Sequence, residues 1–144
     1  LGALDADGFL SITGRIKDQF KTAKGFFVMP IPIENALLAH PAIAAACVVG
    51  SGLKAPVALL NLHPAQAALS LEELSALLLP LLAQTNAALG AAEQLARLIV
   101  IREVWSIDNQ LLTPTLKIRR NEMDARYGAL AAAALAQAEP IVLH

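Results

Sequence analysis

The chain is organised around the stretch GRIKDQFKTAKGFFVMPIPIE, which occupies residues 14–34. Two glycines, Gly14 and Gly25, mark places where the backbone can bend sharply or come close to a ligand. The four cations of the segment are Arg15, Lys17, Lys21 and Lys24. Because aromatic and apolar residues flank the loop that ends at Gly25, we predict a basic β-hairpin over residues 21–28. The crowding of positive charge on residues 15–24 indicates a surface that handles an anion.

Downstream of the hairpin, short helices and strands alternate. Pro32 fits the first turn of a short helix that ends before Pro41 and carries an apolar face. Apolar runs at residues 43–49 and 57–62, separated by a glycine-rich turn, predict neighbouring core strands. A further strand is expected at residues 98–101, followed by an irregular segment.

Two longer helices complete the pattern. Ser70 with Glu73 three residues later forms a capping-box signature, and Pro80 is expected to kink the helix that follows. A last helix is predicted around Met123 and Tyr127. The predicted class is therefore α+β, with a small N-terminal β-hairpin and then a compact mixed sheet of about three strands packed with helices.

Composition restricts the function classes. The chain has 144 residues, a formal net charge of -1 and 56% hydrophobic residues. No apolar run approaches the ~20 residues of a membrane-spanning helix, so we expect no transmembrane segment. The charge balance makes a nucleic-acid partner unfavourable. The single cysteine, Cys47, favours a buried strand residue and a reducing compartment, and the scattered histidines predict no metal site.

The stretch at residues 14–34 resembles the C-terminal domain of the adenylate-forming superfamily, which includes acyl-CoA synthetases, luciferases and the adenylation domains of peptide synthetases. The matching positions are Gly14, Arg15, Lys17, Asp18, Lys21, Gly25, Val28, Pro30, Ile33 and Glu34. Three further runs, NALL at 35–38, VVG at 48–50 and LTPTLKIRR at 112–120, are similar to long-chain fatty-acyl-CoA synthetases in particular.

The resemblance implies three domain segments. Residues 1–13 would begin the domain beside an interdomain hinge, with a hairpin turn at Asp7-Gly8. Residues 14–130 would form the C-terminal lid domain, and residues 131–144 an alanine-rich tail with little to pack against. The chain would be a piece of a larger enzyme, with its N-terminal domain as the missing partner.

The resemblance also implies an activity, that of a long-chain-fatty-acid–CoA ligase that forms AMP. A carboxylic acid would attack the α-phosphate of ATP, and the thiol of coenzyme A would then displace AMP. ATP, Mg2+ and coenzyme A are expected for the full-length enzyme, and none is expected to bind tightly to this fragment, which should be inactive alone. A cytoplasmic location is expected, with peripheral membrane association left open for the full-length enzyme.

Residue roles follow the same resemblance. Lys117 matches the catalytic lysine of adenylation, Arg15 a nucleotide-binding arginine and Lys17 the hinge. The loop on the coenzyme A side would contain Lys24, Gly25 and Phe26, although the lysine and the phenylalanine depart from the residues that are common there. On spacing alone, Lys117 also fits a solvated surface lysine and Arg15 a charge at the hairpin edge. The alternative function is a noncatalytic α+β module that binds a ligand or a partner through its basic loop.

Overall fold

The N-terminal part of the described chain is a small antiparallel hairpin. The computed structural model describes residues 19–66, 68–90, 93–115 and 117–144. Strand β1 (Phe20–Lys21) pairs with strand β2 (Phe27–Val28). The hairpin predicted over residues 21–28 is therefore confirmed, whereas the turn at Asp7-Gly8 lies outside the described residues.

Helix α1 (Pro30–Leu38) follows the hairpin directly. It starts at a proline, which fits the first turn because that position needs no intrahelical N–H bond. Ile33 and Leu37 are buried on its inner face, as the sequence pattern predicts, but Leu38 is 42% exposed and does not belong to that face.

The central element is a four-stranded mixed sheet. Its strands are β3 (Ile43–Val49), β4 (Val57–Leu62), β5 (Arg97–Val100) and β6 (Ile141–Leu143), hydrogen-bonded in that order. β3 and β4 are antiparallel, while β4 with β5 and β5 with β6 are parallel. The sheet thus has one strand more than the three expected, because the predicted tail supplies β6.

The alanine-rich segment is also better packed than its composition indicates. Helix α3 (Arg120–Leu135) continues into it, and Ala131 and Ala134 are fully buried against the sheet. Small side chains let a helix approach a sheet closely, so few apolar atoms are needed for burial. The expectation that this segment has little to pack against is wrong for these residues.

Helix α2 (Leu71–Ala87) begins with the predicted capping box. The hydroxyl oxygen of Ser70 accepts a hydrogen bond from the Glu73 N–H at 3.2 Å, and the Glu73 carboxylate accepts one from the Ser70 N–H at 2.9 Å. The helix continues through Pro80, which is exposed. A short 3-10 turn, Pro64–Gln66, precedes it.

The sheet separates two apolar layers. One layer contains α1, α2 and the inner face of the hairpin, with Val28, Leu37 and Leu78 among its buried members. The other contains α3 and the segment that leads to it, with Trp105 and Tyr127 among its buried members. The described chain is therefore a three-layer α/sheet/α arrangement.

One buried amide connects the sheet to the second layer. The side-chain nitrogen of Asn61, at the end of β4, donates hydrogen bonds to the carbonyls of Ile101 and Glu103, both at 3.0 Å. Its side-chain oxygen accepts the Trp105 N–H at 2.8 Å. This single side chain holds the irregular segment after β5 against the sheet.

The turn after β3 is closely packed under the hairpin. Gly50 has φ +155°, and a Cβ atom there would lie 2.9 Å from the Pro56 Cα and 3.1 Å from a ring carbon of Phe20. Only a glycine fits this contact without displacing backbone atoms.

Candidate functional site

The tip of the basic hairpin is an ordered loop. The carbonyl of Thr22 accepts the Gly25 N–H at 2.9 Å, and its hydroxyl accepts the Phe26 N–H at 3.3 Å. The Ala23 N–H donates to the Leu53 carbonyl at 2.8 Å, which fixes the loop to the turn after β3. The buried threonine therefore gives the loop a defined shape.

Gly25 has a φ of +88°, a conformation that residues with a Cβ atom rarely adopt. A Cβ atom there would meet only the Lys21 Cε at 3.6 Å, which is an ordinary contact. Within the described chain, the glycine is therefore required by backbone conformation, and the space above it is open.

The loop presents cations and aromatic rings to solvent. Lys24 and Gly25 are exposed, and Phe26 and Phe27 are 51% and 64% exposed. The Lys21 ammonium lies 5.8 Å from the centroid of the Phe27 ring. The three residues predicted for the coenzyme A side, Lys24, Gly25 and Phe26, are thus adjacent and accessible.

Lys117 lies on a second ordered loop. A β-bridge between Leu112 and Ile118 closes it, and the Thr113 N–H donates to the Lys117 carbonyl at 2.8 Å. The Thr113 hydroxyl accepts the Lys117 N–H at 3.0 Å and lies 3.0 Å from the Thr115 hydroxyl. Lys117 is exposed, and its ammonium has no ion-pair partner among the described residues. The backbone at Lys117 is thus hydrogen-bonded to Thr113, while its side chain is exposed.

The two loops are rooted on opposite faces of the sheet. Phe20 and Val28 of the hairpin pack in the layer that contains α1 and α2. Leu111, Leu112 and Ile118, which flank the lysine loop, pack in the layer that contains α3. The strands of the hairpin therefore pack on one face of the sheet and the residues that flank Lys117 on the other, while the hairpin tip is bonded to Leu53, which packs in the α3 layer.

Sequence reasoning missed a buried ion pair between these faces. The Arg120 guanidinium donates to both carboxylate oxygens of Glu34, at 2.7 and 2.6 Å. One of these oxygens also accepts the Val48 N–H at 2.7 Å. Both charged residues belong to the runs that carry the family resemblance. The available signal in the sequence was an acidic residue within the apolar run of α1, which indicates a buried carboxylate that needs a partner.

Burial and charged neighbours shift the pKa of other ionisable groups in the described chain. Desolvation raises the pKa of Asp124, and the nearby Arg120 opposes that shift. Burial also raises the pKa of the Cys47 thiol, so the cysteine is a packing residue as predicted. Hydrogen bonds from Arg126 lower the pKa of Glu103.

Two of the predicted site residues, Arg15 and Lys17, lie outside the described residues. Among those that are described, no group of three or more His, Cys, Asp or Glu side chains is arranged to hold a metal ion. The helices described there are also too short or too polar to cross a membrane.

The sequence matches a known protein family. Residues 17–139 match the model of the AMP-binding enzyme C-terminal domain family. The long-chain-fatty-acid–CoA ligase FadD15 of Mycobacterium tuberculosis is 32% identical over an alignment of 146 residues, and the alignment covers 90% of this chain and 24% of that protein. Human long-chain-fatty-acid–CoA ligase ACSBG1 is 50% identical over 54 residues, 37% of this chain and 8% of that protein. The chain thus spans about a quarter or less of these relatives.

Solved structures give the same fold. The adenylation domain of a carboxylate reductase from Mycobacterium chelonae matches with a TM-score of 0.74 and 26% identity, covering 87% of this chain and 20% of that one. The anthranilate CoA ligase AuaEII, solved with anthranoyl-AMP, matches with a TM-score of 0.63 and 30% identity, and the match covers 90% of this chain and 23% of that one. The predicted α+β class and the resemblance are confirmed, and the chain belongs to the AMP-binding enzyme C-terminal domain family.

Proposed function

We propose that this chain is the mobile C-terminal domain of an ATP-dependent acyl-CoA ligase that acts on long-chain fatty acids. The single observation that carries the proposal is that the hairpin strands and the residues that flank Lys117 pack on opposite faces of one sheet, since a two-step reaction at one site needs two faces presented in turn. The curated relatives named above, both long-chain-fatty-acid–CoA ligases, support the substrate class.

In the first step, a carboxylate oxygen attacks the α-phosphorus of ATP and the bond to pyrophosphate breaks. Negative charge moves onto the bridging and leaving oxygens, and a fixed cation near them stabilises the transition state. Lys117 suits this role because its ammonium is a compact charge on a flexible stem. The hydrogen bonds between its backbone and Thr113 would help to position the ammonium.

In the second step, the thiol sulfur of coenzyme A attacks the acyl carbonyl, and AMP leaves. The loop of Lys24, Gly25 and Phe26 would then face the adenylate and border the path of the thiol. Open space above Gly25 leaves room for a narrow ligand, and a larger side chain there would obstruct it.

The switch between steps requires the domain to rotate. We assign the rotation to backbone torsions at Lys17 and a nucleotide contact to Arg15, both from the family resemblance. Mg2+ would accompany the ATP phosphates. From the same resemblance, its protein ligands would belong to the N-terminal domain.

The test separates the half-reactions in the full-length enzyme. Lys117→Ala should lower ATP–pyrophosphate exchange by about 100-fold or more while sparing thioester formation from supplied acyl-adenylate. Gly25→Leu should do the reverse. Lys54→Ala, at another exposed lysine, is the control and should change neither.

Damage to the same step by both variants would refute the assignment of the two faces. The isolated domain should form no acyl-adenylate, and turnover from it alone would contradict the division of labour. A screen of carboxylic acids of graded chain length against the full-length enzyme tests the substrate class, and preference for a short or aromatic acid would exclude long-chain fatty acids. We also propose a cytoplasmic location, which fractionation of cells would test.

A further inference from the structure

The buried ion pair lies at an edge of the sheet and connects two layers. Glu34 belongs to α1 on one face, and Arg120 is the first residue of α3 on the other. Between them is β3, an edge strand, whose Val48 N–H donates to Glu34. The carboxylate therefore satisfies an edge-strand donor and holds the beginning of α3 at the same time.

Arg120 lies three residues after Lys117, so the pair is also an anchor for the lysine loop. The other anchor is at Leu111, which is buried and whose carbonyl accepts the Arg119 N–H at 3.0 Å. The loop between these anchors is closed by the bridge from Leu112 to Ile118. Loss of the ion pair would remove the tie between this end and α1, while the bond from the Arg119 N–H to Leu111 would remain.

The basic hairpin has further anchors of its own, although its Phe20 borders a small cavity that Arg120 also lines. Its loop is held by Thr22 and by the turn that contains Leu53, and Val28 is buried beneath it. Ile33 and Leu37 hold α1 in the core independently of Glu34. Breaking the pair should therefore disturb the lysine loop more than the hairpin.

We propose that Glu34 and Arg120 are positioning residues that hold Lys117 for adenylation by fixing the first turn of α3 across the edge of the sheet. This inference rests on the proposed function. The bidentate geometry is essential to it: two short hydrogen bonds between planar groups define an orientation, whereas a lysine would supply only a point charge. The Glu34 and Arg120 side chains are 7% and 23% exposed, so solvent can compete only partly.

The experiment uses Arg120→Lys and Glu34→Gln in the full-length enzyme. Both keep a similar volume, and the glutamine can still accept the Val48 N–H, so it remains informative if the lysine variant fails to fold. We expect kcat for ATP–pyrophosphate exchange to fall by about 10- to 100-fold, as for a catalytic group displaced by about 1 Å. KM for ATP and thioester formation from supplied acyl-adenylate should change by less than about threefold.

A matched control exists on the same helix. Arg126 also pairs with a carboxylate, since its Nη1 donates to both oxygens of Glu103 at 2.7 Å, but in an exposed position. Arg126→Lys should leave both half-reactions unchanged. Thermal melting of every variant shows whether the domain is folded at the assay temperature.

The outcomes separate this inference from the proposed function. If Lys117→Ala impairs only adenylation while the pair variants lower both half-reactions equally, or neither, the pair is structural and the inference is overturned. If Lys117→Ala itself is not selective, the proposed function fails and the inference falls with it. Selective loss of adenylation in the pair variants, with KM for ATP preserved, supports the positioning role.

Discussion

Asn61→Ala should be among the more damaging polar substitutions in this chain. Asn61 is 6% exposed and makes three hydrogen bonds, two donated to the carbonyls of Ile101 and Glu103 and one accepted from the Trp105 N–H. Alanine would leave all three backbone groups without this partner. At about 1 kcal/mol for each group, the lower end of the usual cost, the free energy of unfolding should fall by about 3 kcal/mol.

The measurement is urea-induced unfolding of the 144-residue chain, with thermal melting as a second probe. A loss of about 3 kcal/mol corresponds to a drop of roughly 9 °C in Tm for a chain of this size. Asn35→Ala, at an exposed position of α1, is the control and should stay within about 0.5 kcal/mol of the parent. Equal urea unfolding midpoints for Asn61→Ala and Asn35→Ala would refute the inference that Asn61 holds the segment after β5 against the sheet.

Asn61→Asp adds a pH signature. The new carboxylate would keep an acceptor for the Trp105 N–H but face two carbonyl oxygens, which raises its folded-state pKa. The free energy of unfolding of this variant should therefore be highest below the ordinary pKa of an aspartate, and it should decline as pH rises through the raised pKa. A variant that became more stable with rising pH over that range would contradict the orientation of the amide.

Four other predictions can be checked on the same chain. Ser70→Ala should lower the free energy of unfolding by about 1 kcal/mol in urea titrations, through loss of the helix cap. Gly50→Ala should lower it by about 2 kcal/mol, since the added methyl would lie 2.9 Å from a backbone atom. Cys47 should resist a thiol reagent in buffer and react fully in guanidinium, because it is buried with a raised pKa. The pKa of Glu103 is lowered, so its pair with Arg126 stabilises the fold above the usual value of 4.5 and stabilises it less as pH falls below that value. Arg126→Ala should therefore reduce the decrease in the urea unfolding midpoint that acid causes.

Local patterns predicted the elements that depend on local chemistry. Apolar runs of strand length identified β3 and β4, and the spacing of Ser70 and Glu73 identified the start of α2. These features can be read from the sequence because each is decided by neighbours within a few residues. The strand β6 was missed for the opposite reason, since three residues after an alanine-rich helix carry too little periodicity to identify a partner.

The candidate site divides in the same way. The resemblance predicted roles for Lys117 and for the loop around Gly25, and the structure adds that the hairpin strands and the residues that flank Lys117 pack on opposite faces of the sheet. The pair between Glu34 and Arg120 joins residues separated by 86 positions, and no local spacing indicates such a contact. For Gly25 the sequence left two reasons open, a sharp backbone bend or a close approach to a ligand, and the φ of +88° shows that the backbone conformation requires a glycine.

The order of strands has a consequence for synthesis on the ribosome. β5 and β6 pair in parallel at Leu98 and Ile141. In a nascent chain that has emerged only as far as α3, the edge of β5 therefore has no partner strand yet. An open strand edge is a template for pairing with other chains. Translational pausing before residue 141 should therefore prolong an aggregation-prone intermediate, and chaperones that shield strand edges should matter most for this protein at that moment.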